Sequence, residues 1–570
     1  MKRLKDILSA AVQGAMRLLK FFAKSRPQYQ LRGLGLLLSW QHLMARKSEF
    51  RFQEISRLLG SERSGRDQRA SEDYAQRAAR DVSRVEDRLQ QFKRNGDQAL
   101  LQKGIHYLER AGHSFAANGK QAQAELCLRV VARFRSPNTP EGIDNLRNLA
   151  IIQFMLGEVG RAKATFVQMG LAQRFNRVAA RTNPDYRFLG RSWFVAIGHV
   201  AMIDILLKQR DLGWLGDVKR FVICEDVQNI AGKTILKSFL KHGVELAQSE
   251  QGYYDFHRAS DEPEWAELTR SERESLIAEF WTYSTPSGES SFFAHGAAEI
   301  QAEWEHQQRL PLLKLGRQER DTLGVLLEQL GLPPQAWYVC LHVRESGFHG
   351  KWNKTYPSAR DANIEDYQAA IAAIVKRGGW VIRMGDASMK PLKPMPGLVD
   401  YVQTSHKAEP IDTLLAAGCR FMLGTNSGFS ILPATYGAPC VLTNWIPIAL
   451  PNWYGMDLMI PKLMRSRQSG KLLGFSTMLE DPLGSIQNPR NFPVDIEILE
   501  NTPDEICEVT TEMLDRLEGV KYSAEDERMH KCYVALAISK GSYQGGRMGR
   551  EFLKKHDQLL STAGGDHERG

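Results

Sequence analysis

From residue 337 to 443 short apolar runs alternate with stretches of helical period. WYVCLHVRE, WVIRMGD, CRFMLGTNSG and APCVLTNW are each too short for a buried helix and rich in Val, Ile, Leu and Cys, which predicts buried strands. Between them, IEDYQAAIAAIVKRGG places Tyr367, Ile371 and Ile374 on one face, with acids in its first turn and glycines at its end. IDTLLAAG and GFSILPATYG complete the helices, and NTPDEICEVTTEMLDRLEG adds one more. A similar alternation begins after Pro184. RSWFVAIGH reads as an apolar strand ending in Gly-His, VAMIDILLKQR as a helix, KRFVICED as a strand, NIAGKTILKSFLKHG as a helix stopped by Gly243, and VELAQ as a third strand. Strand and helix in strict alternation predict two βαβ units with parallel sheets.

Upstream the pattern is helical throughout. Leu146, Leu149, Ala150, Gly157, Ala162 and Phe166 fall at offsets of a tetratricopeptide repeat, and Ala111, Gly112, Phe115, Gly119, Ala124 and Leu128 repeat them. Ala124 to Ala162 exceeds the repeat length, so an ordinary helical bundle is the competing reading. The expected organisation is a basic amphipathic helical segment at 1–60, a tetratricopeptide-like region at 72–175, and an acceptor-side Rossmann-like domain at 186–330. A nucleotide-sugar-binding Rossmann-like domain at 335–520 and a helix with a disordered tail at 521–570 follow. GSERSGRDQRAS (60–71) serves as a linker.

Charge matters mainly at the N-terminus. The net charge is +9, and Lys2, Arg3, Lys5, Arg17, Lys20, Lys24 and Arg26 oppose only Asp6. Leucines and alanines recur among them at helical spacing, so residues 1–26 form a helix able either to lie on an anionic membrane or to pack on the protein itself. Gln13, Gly14 and Arg17 interrupt its apolar stretch, which argues against a secretory signal. No apolar run approaches a bilayer span. Seven scattered cysteines without a CxxC pair suggest neither zinc nor a redox centre and fit a cytoplasmic setting. The basic excess is modest and not interleaved with aromatics, so nucleic acid is not an expected partner.

The candidate chemistry lies at strand ends. In LGTNSGFS, Gly424 and Gly428 allow close backbone approach, Thr425, Asn426 and Ser427 offer polar groups, and the following helix presents free N–H groups. That suits a pyrophosphate, although a plain βα turn with a serine cap has the same look. Arg344 in HVRE can fork onto a diphosphate. Arg383 and Asp386 end the next strand, where Asp386 either accepts from a sugar hydroxyl or caps its loop. His199 in AIGH would face them as a base, with Asp204 as the alternative. No DxD follows a strand; the acidic triplet at 525–527 lies in a polar stretch. GxGxxG is missing after the strands, which disfavours dinucleotide oxidoreduction, and neither GxSxG nor a P-loop occurs.

HVRE, Arg360-Asp361, Asp366-Tyr367 with Ala370-Ile371, VIRMGD, Asp400-Tyr401, the aspartate of IDTLLAAGCRFMLGTNSG, and GAP with Asn444 together resemble a bacterial glycosyltransferase family associated with surface-polysaccharide loci. The likeness runs over roughly 186–460 and is strongest over 338–450. The layout is more distantly similar to heptosyltransferases, whose loop is GTDSG-like, and to fucosyltransferases with an HxR motif. The resemblance implies a GT-B pair of Rossmann-like domains. It matches Arg344 to the motif arginine, Thr425, Ser427 and Gly428 to the phosphate loop, and Asp412 to the aspartate before the CRF strand. Asn426 and Glu345 depart from the heptosyltransferase and fucosyltransferase patterns respectively. The expected activity is metal-independent, inverting transfer from a nucleotide sugar to a hydroxyl on a glycan, lipid-linked or protein acceptor. No cofactor or metal is expected, His199 and Arg344 are the expected catalytic pair, and the helical repeats are expected to recruit any protein partner. A non-catalytic scaffold and a nucleotide-sugar epimerase are the alternatives.

Overall fold

A computed structural model describes residues 84, 91 and 98–560, except 118–119, 180–184, 225–229, 247, 250–251, 254–274, 287–289, 346–357, 387 and 488. The basic N-terminal segment, the linker at 60–71 and the tail after 560 lie outside the described residues. The chain divides into two compact units, Met1–Leu156 and Gly157–Gly570.

In the first unit, α1 (Gln98–Ala117), α2 (Gln121–Val131) and α3 (Pro140–Met155) pack in sequence. Ala111, Ala124 and Leu128 are fully buried, and a Cβ on Gly112 would lie 3.1 Å from Leu128. Small residues therefore set the α1–α2 approach. Thr139 caps α3 by accepting from the Gly142 N–H at 3.1 Å, with Pro140 at the first helical position.

The second unit opens with α4 (Val159–Ala179) and continues into a three-stranded parallel sheet. Its strands are β1 (Tyr186–Leu189), β2 (Arg220–Ile223) and β3 (Val244–Leu246), in that order. Here one expectation is corrected. RSWFVAIGH is not a strand: Arg191–Trp193 forms a 3-10 turn, and Ile197–Ala201 (α5) is a helix. The strand is YRFL, just before it. A short apolar run cannot distinguish strand from buried helix by composition alone. Ile203–Asp211 (α6) and Lys233–Phe239 (α7) supply the crossovers. Phe293–His306 (α8) and Arg317–Gln329 (α9) lead to the larger sheet.

That sheet has seven parallel strands: β4 (Tyr338–His342), β5 (Trp380–Arg383), β6 (Leu398–Val399), β7 (Phe421–Thr425), β8 (Cys440–Trp445), β9 (Leu458–Pro461) and β10 (Arg547–Met548). Their spatial order is β6-β5-β4-β7-β8-β9-β10. Nearly every residue of the central strands is buried, as expected where helices cover both faces. The helices include α10 (Gln368–Lys376), α11 (Glu409–Gly418), α12 (Gly428–Thr435) and α13 (Pro503–Leu517). The acidic triplet opens α14 (Ala524–Ser539), where Asp526 and Ser523 form a capping box and Glu525 pairs with Arg528. Cys340, Cys419 and Cys440 are buried free thiols in the sheet region. No helix among the described residues is long and apolar enough to cross a membrane.

Candidate binding site at the switch point of the large sheet

The order of the large sheet fixes where a ligand can enter. The chain leaves β4 toward β5 on one side and leaves β7 toward β8 on the other. The loops after β4 and β7 therefore diverge, and a crevice opens between them at the carboxyl ends of the strands. HVRE starts on the last residue of β4, and GTNSG on the last two residues of β7. Register places Gly424 beside His342.

The two loops are laced together. The Arg344 N–H donates to Thr425 Oγ1 at 2.9 Å, and Ser427 Oγ lies 3.3 Å from His342 Nδ1. The His342 ring stacks on Phe429 with 5.3 Å between centroids. A Cβ on Gly424 would fall 1.9 Å from the His342 carbonyl oxygen, so no larger residue fits without moving a strand. Burial, then the Arg344 charge, pushes the His342 pKa down to about 4. At neutral pH it is an uncharged hydrogen-bonding group.

Arg344 is half-buried and anchored by one nitrogen. Its Nε donates to Asp361 Oδ1 at 3.0 Å. Among the described residues its two terminal nitrogens have no hydrogen-bond partner. They are free to fork onto an anion.

The other predicted residues divide into two groups. Thr425, Ser427, Gly428 and Arg344 come together as expected. Asn426 sits beneath them, 8% exposed, with Nδ2 donating to the Ile446 carbonyl at 2.7 Å. Arg383, by contrast, is engaged within the fold. It is 1% exposed and reaches Glu345 Oε1 at 2.9 Å, Asp400 Oδ1 at 3.3 Å and the Lys390 carbonyl at 2.6 Å. Asp386 accepts from the Ser388 N–H at 2.8 Å, which caps its loop, and the Ser388 hydroxyl first, then that N–H, lower its pKa against burial. Asp412 of α11 pairs with Lys407, which precedes that helix, and burial, opposed by that lysine, raises its pKa.

The segment at 198–199 meets the loop from the other half of the unit. Gly198 of α5 and Gly428 of α12 are in close backbone contact; a Cβ on Gly198 would fall 2.5 Å from the Gly428 Cα. His199 itself turns onto its own half, with its ring stacked on Phe280 at 4.1 Å and Trp281 edge-on at 6.3 Å. Its Nδ1 donates to the Ser192 carbonyl at 2.6 Å, which leaves Nε2 with the lone pair. Burial lowers its pKa, partly offset by that hydrogen bond, so the ring is neutral at pH 7. Asp204 is not an alternative base. It is fully buried against Lys208 at 2.5 Å and accepts from the Tyr454 hydroxyl at 3.2 Å.

Several motif residues prove architectural. The Tyr367 hydroxyl lies 2.5 Å from Thr443 Oγ1, and Asn444, at φ +52°, and Asn501 each donate a backbone N–H to the other's side-chain Oδ1. Asp400 holds the Leu392 N–H at 2.9 Å as well as Arg383. Beyond the sequence-predicted set, the structure adds Asp361, which orients Arg344. It also adds Glu409, which accepts from the Thr234 N–H at 3.0 Å and so joins α11 to α7. The sequence marks Arg360-Asp361 only as part of a resemblance; its nearness to Arg344 depends on the return path of a long loop.

No family model matches the chain, and no curated protein does. Among solved structures, a glycosyl transferase family 9 protein from Veillonella parvula DSM 2008 shares 11% identity over 49% of this chain and 87% of its own, with a TM-score of 0.31. The dodecameric iron-containing heptosyltransferase TibC, in complex with ADP-D-beta-D-heptose, shares 14% identity over 45% of this chain and 57% of its own, with a TM-score of 0.23. TibC from enterotoxigenic E. coli H10407 gives 13% identity and the same TM-score of 0.23. Likenesses at this level establish neither the fold nor the activity of this chain.

Proposed function

We propose that the chain is a glycosyltransferase that binds a nucleotide sugar at the switch point of the large sheet. The observation that carries this reading is the meeting of Arg344, whose terminal nitrogens have no hydrogen-bond partner among the described residues, with the 424–428 loop, where the winding of the sheet reverses. A guanidinium and backbone N–H groups at a helix start are suited to an oxygen-rich dianion. Their value in catalysis lies in charge that develops: as the bond from the anomeric carbon to the diphosphate oxygen breaks, the electron pair leaves with the diphosphate.

In this reading an acceptor hydroxyl attacks the anomeric carbon from the opposite face, with inversion, and its proton passes to His199 Nε2. The Ser192 carbonyl holds the ring in the required tautomer, and the lowered pKa keeps it neutral. Its ring would have to leave the Phe280 stack in part or receive the proton at its open edge. Asp386 and Asp412 are assigned to ordering the loops and helix around the donor rather than to contact with it, and Arg383 to holding Glu345 and Asp400. The chemistry is assigned to protein groups alone, since no strand is followed by a DxD motif. The glycan, lipid-linked or protein acceptor, a protein partner on α1–α3, and membrane contact by residues 1–26 belong to the same proposal.

The test is turnover and nucleotide binding in Arg344→Ala. Loss of turnover by at least a hundredfold, with the melting temperature within a few degrees of wild type, is the expected result. Turnover within a few-fold of wild type would remove Arg344 from the leaving-group site.

A further inference from the structure

A second arginine stands beside the first. Arg360 lies in the turn from Ser358 to Ala362, and that turn is tied to the Arg344 segment at several points. Asp361 accepts from Arg344 Nε at 3.0 Å through one oxygen and from the Ser358 N–H at 2.8 Å through the other. The Ala362 N–H donates to the Arg344 carbonyl at 3.1 Å, and Lys462 Nζ donates to the Asp361 carbonyl at 2.7 Å. The Arg360 N–H is held by Ser358 Oγ at 3.3 Å. The backbone around Arg360 is thus fixed.

One nitrogen of its side chain is not satisfied. The Nε of Arg360 is shut off from solvent and has no hydrogen-bond partner among the described residues. Burial and the neighbouring Arg344 charge push its pKa down to about 10, against the pull of Asp361. It stays protonated at neutral pH, while the nearby Asp361 carboxylate is hydrogen-bonded to Arg344. A buried cationic donor without an acceptor is costly and calls for an anion. One phosphate would occupy Arg344 alone. Two cations, fixed by one turn and offset along the chain, suit two phosphates joined by a bridging oxygen.

We propose that Arg360 is the second cation of the switch-point site, and that with Arg344 it commits the site to a nucleoside diphosphate rather than a monophosphate. The assignment of a nucleotide rests on the function proposed above; the anion site itself does not.

The experiment is calorimetric titration of the full chain with inorganic pyrophosphate, inorganic phosphate, and UDP, GDP, ADP and CDP beside their monophosphates. Wild type, Arg360→Gln and Arg360→Lys are compared. Wild type should prefer pyrophosphate to phosphate, and one diphosphate to its monophosphate, by at least tenfold. Arg360→Gln should lose most of that ratio while monophosphate affinity stays within about twofold. Should the glutamine variant fail to fold, Arg360→Lys decides: loss of the fork should weaken diphosphate at least threefold, again sparing monophosphate. An unchanged ratio in either folded variant overturns the proposal, as does a loss shared equally by mono- and diphosphate. Pyrophosphate binding without nucleotide binding would sink the glycosyltransferase reading and leave the anion site standing. A wild type that binds neither overturns both.

Discussion

Asn426 donates from Nδ2 to the Ile446 carbonyl at 2.7 Å, so its orientation is set from within the fold. That hydrogen bond gives a physical reason for the amide where the heptosyltransferase pattern has an acid: a carboxylate could not donate to that carbonyl. Asn426→Asp should lower stability by about 1–3 kcal/mol in urea unfolding at pH 7, because it leaves a buried acceptor facing a buried charge. Equal stability would contradict the assignment. His342 makes a pH prediction of definite sign. Its folded pKa of about 4 lies below the ordinary value near 6.5, so between those values the unfolded chain binds the proton first. His295 and His530 are likewise pushed down to about 4 by burial. Their contribution is intact above about pH 6.5 and is lost as the pH falls toward 4. Urea midpoints at pH 7 and pH 5 should differ in that direction, and His342→Asn should narrow the difference; a midpoint that rises on acidification would refute it. Roles at this scale were only partly legible in the sequence. Arg344 and Arg383 both end strands, and periodicity treats them alike. Burial separates them, since Arg383 is enclosed by Glu345, Asp400 and the Lys390 carbonyl, whereas Arg344 is held at one nitrogen.

Between elements, the close approach of α5 and α12 depends on two glycines. A Cβ on Gly428 would lie 2.9 Å from the Gly198 N, and one on Gly198 would lie 2.5 Å from the Gly428 Cα. Backbone cannot yield as a flexible side chain can. Gly198→Ala should therefore cost about 1–3 kcal/mol by overpacking and weaken nucleotide binding by displacing the loop. An alanine variant with wild-type stability and affinity would show that the contact is incidental. Four strands of the large sheet, β4, β5, β7 and β8, were readable because their apolar runs alternate with amphipathic helices bounded by glycine, whereas the short β6, β9 and β10 were not predicted. Gly243, which ends the 3-10 turn Leu240–His242 after α7, and Gly378, just past α10, are both at φ +78° and lie where the sequence placed the stops. The run around His199 was misread for a definite reason. Its glycine and apolar residues serve a helix packed on another helix, and that packing partner is more than 200 residues away. Strand order was not legible either, because alternation implies parallel strands without saying on which side each one adds.

In the Gly157–Gly570 unit, the two α/β halves are joined by a hydrogen bond onto a buried ion pair of α6 as well as by the glycine contact. Asp204 and Lys208 of α6 are enclosed, Lys208 also donates to Gln301 at 2.9 Å, and Tyr454 of the larger half donates to Asp204. Removing one partner leaves an uncompensated buried charge. Lys208→Met should cost about 3–5 kcal/mol, and pairing it with Asp204→Leu should recover most of the loss. A double variant no better than the single one would argue against that coupling. These contacts hold the smaller half against the open end of the larger sheet, where the diverging loops present Arg344 and the Ser427–Gly428 helix start. The central claim is that this crevice holds a nucleoside diphosphate. The most direct measurement is thermal unfolding of wild type and Arg344→Ala against UDP, GDP, ADP and CDP. One diphosphate should stabilise wild type, by about 2.7 kcal/mol at a hundred times its dissociation constant, and leave the variant nearly unmoved. No shift with any of the four, or equal shifts in both proteins, would contradict the claim.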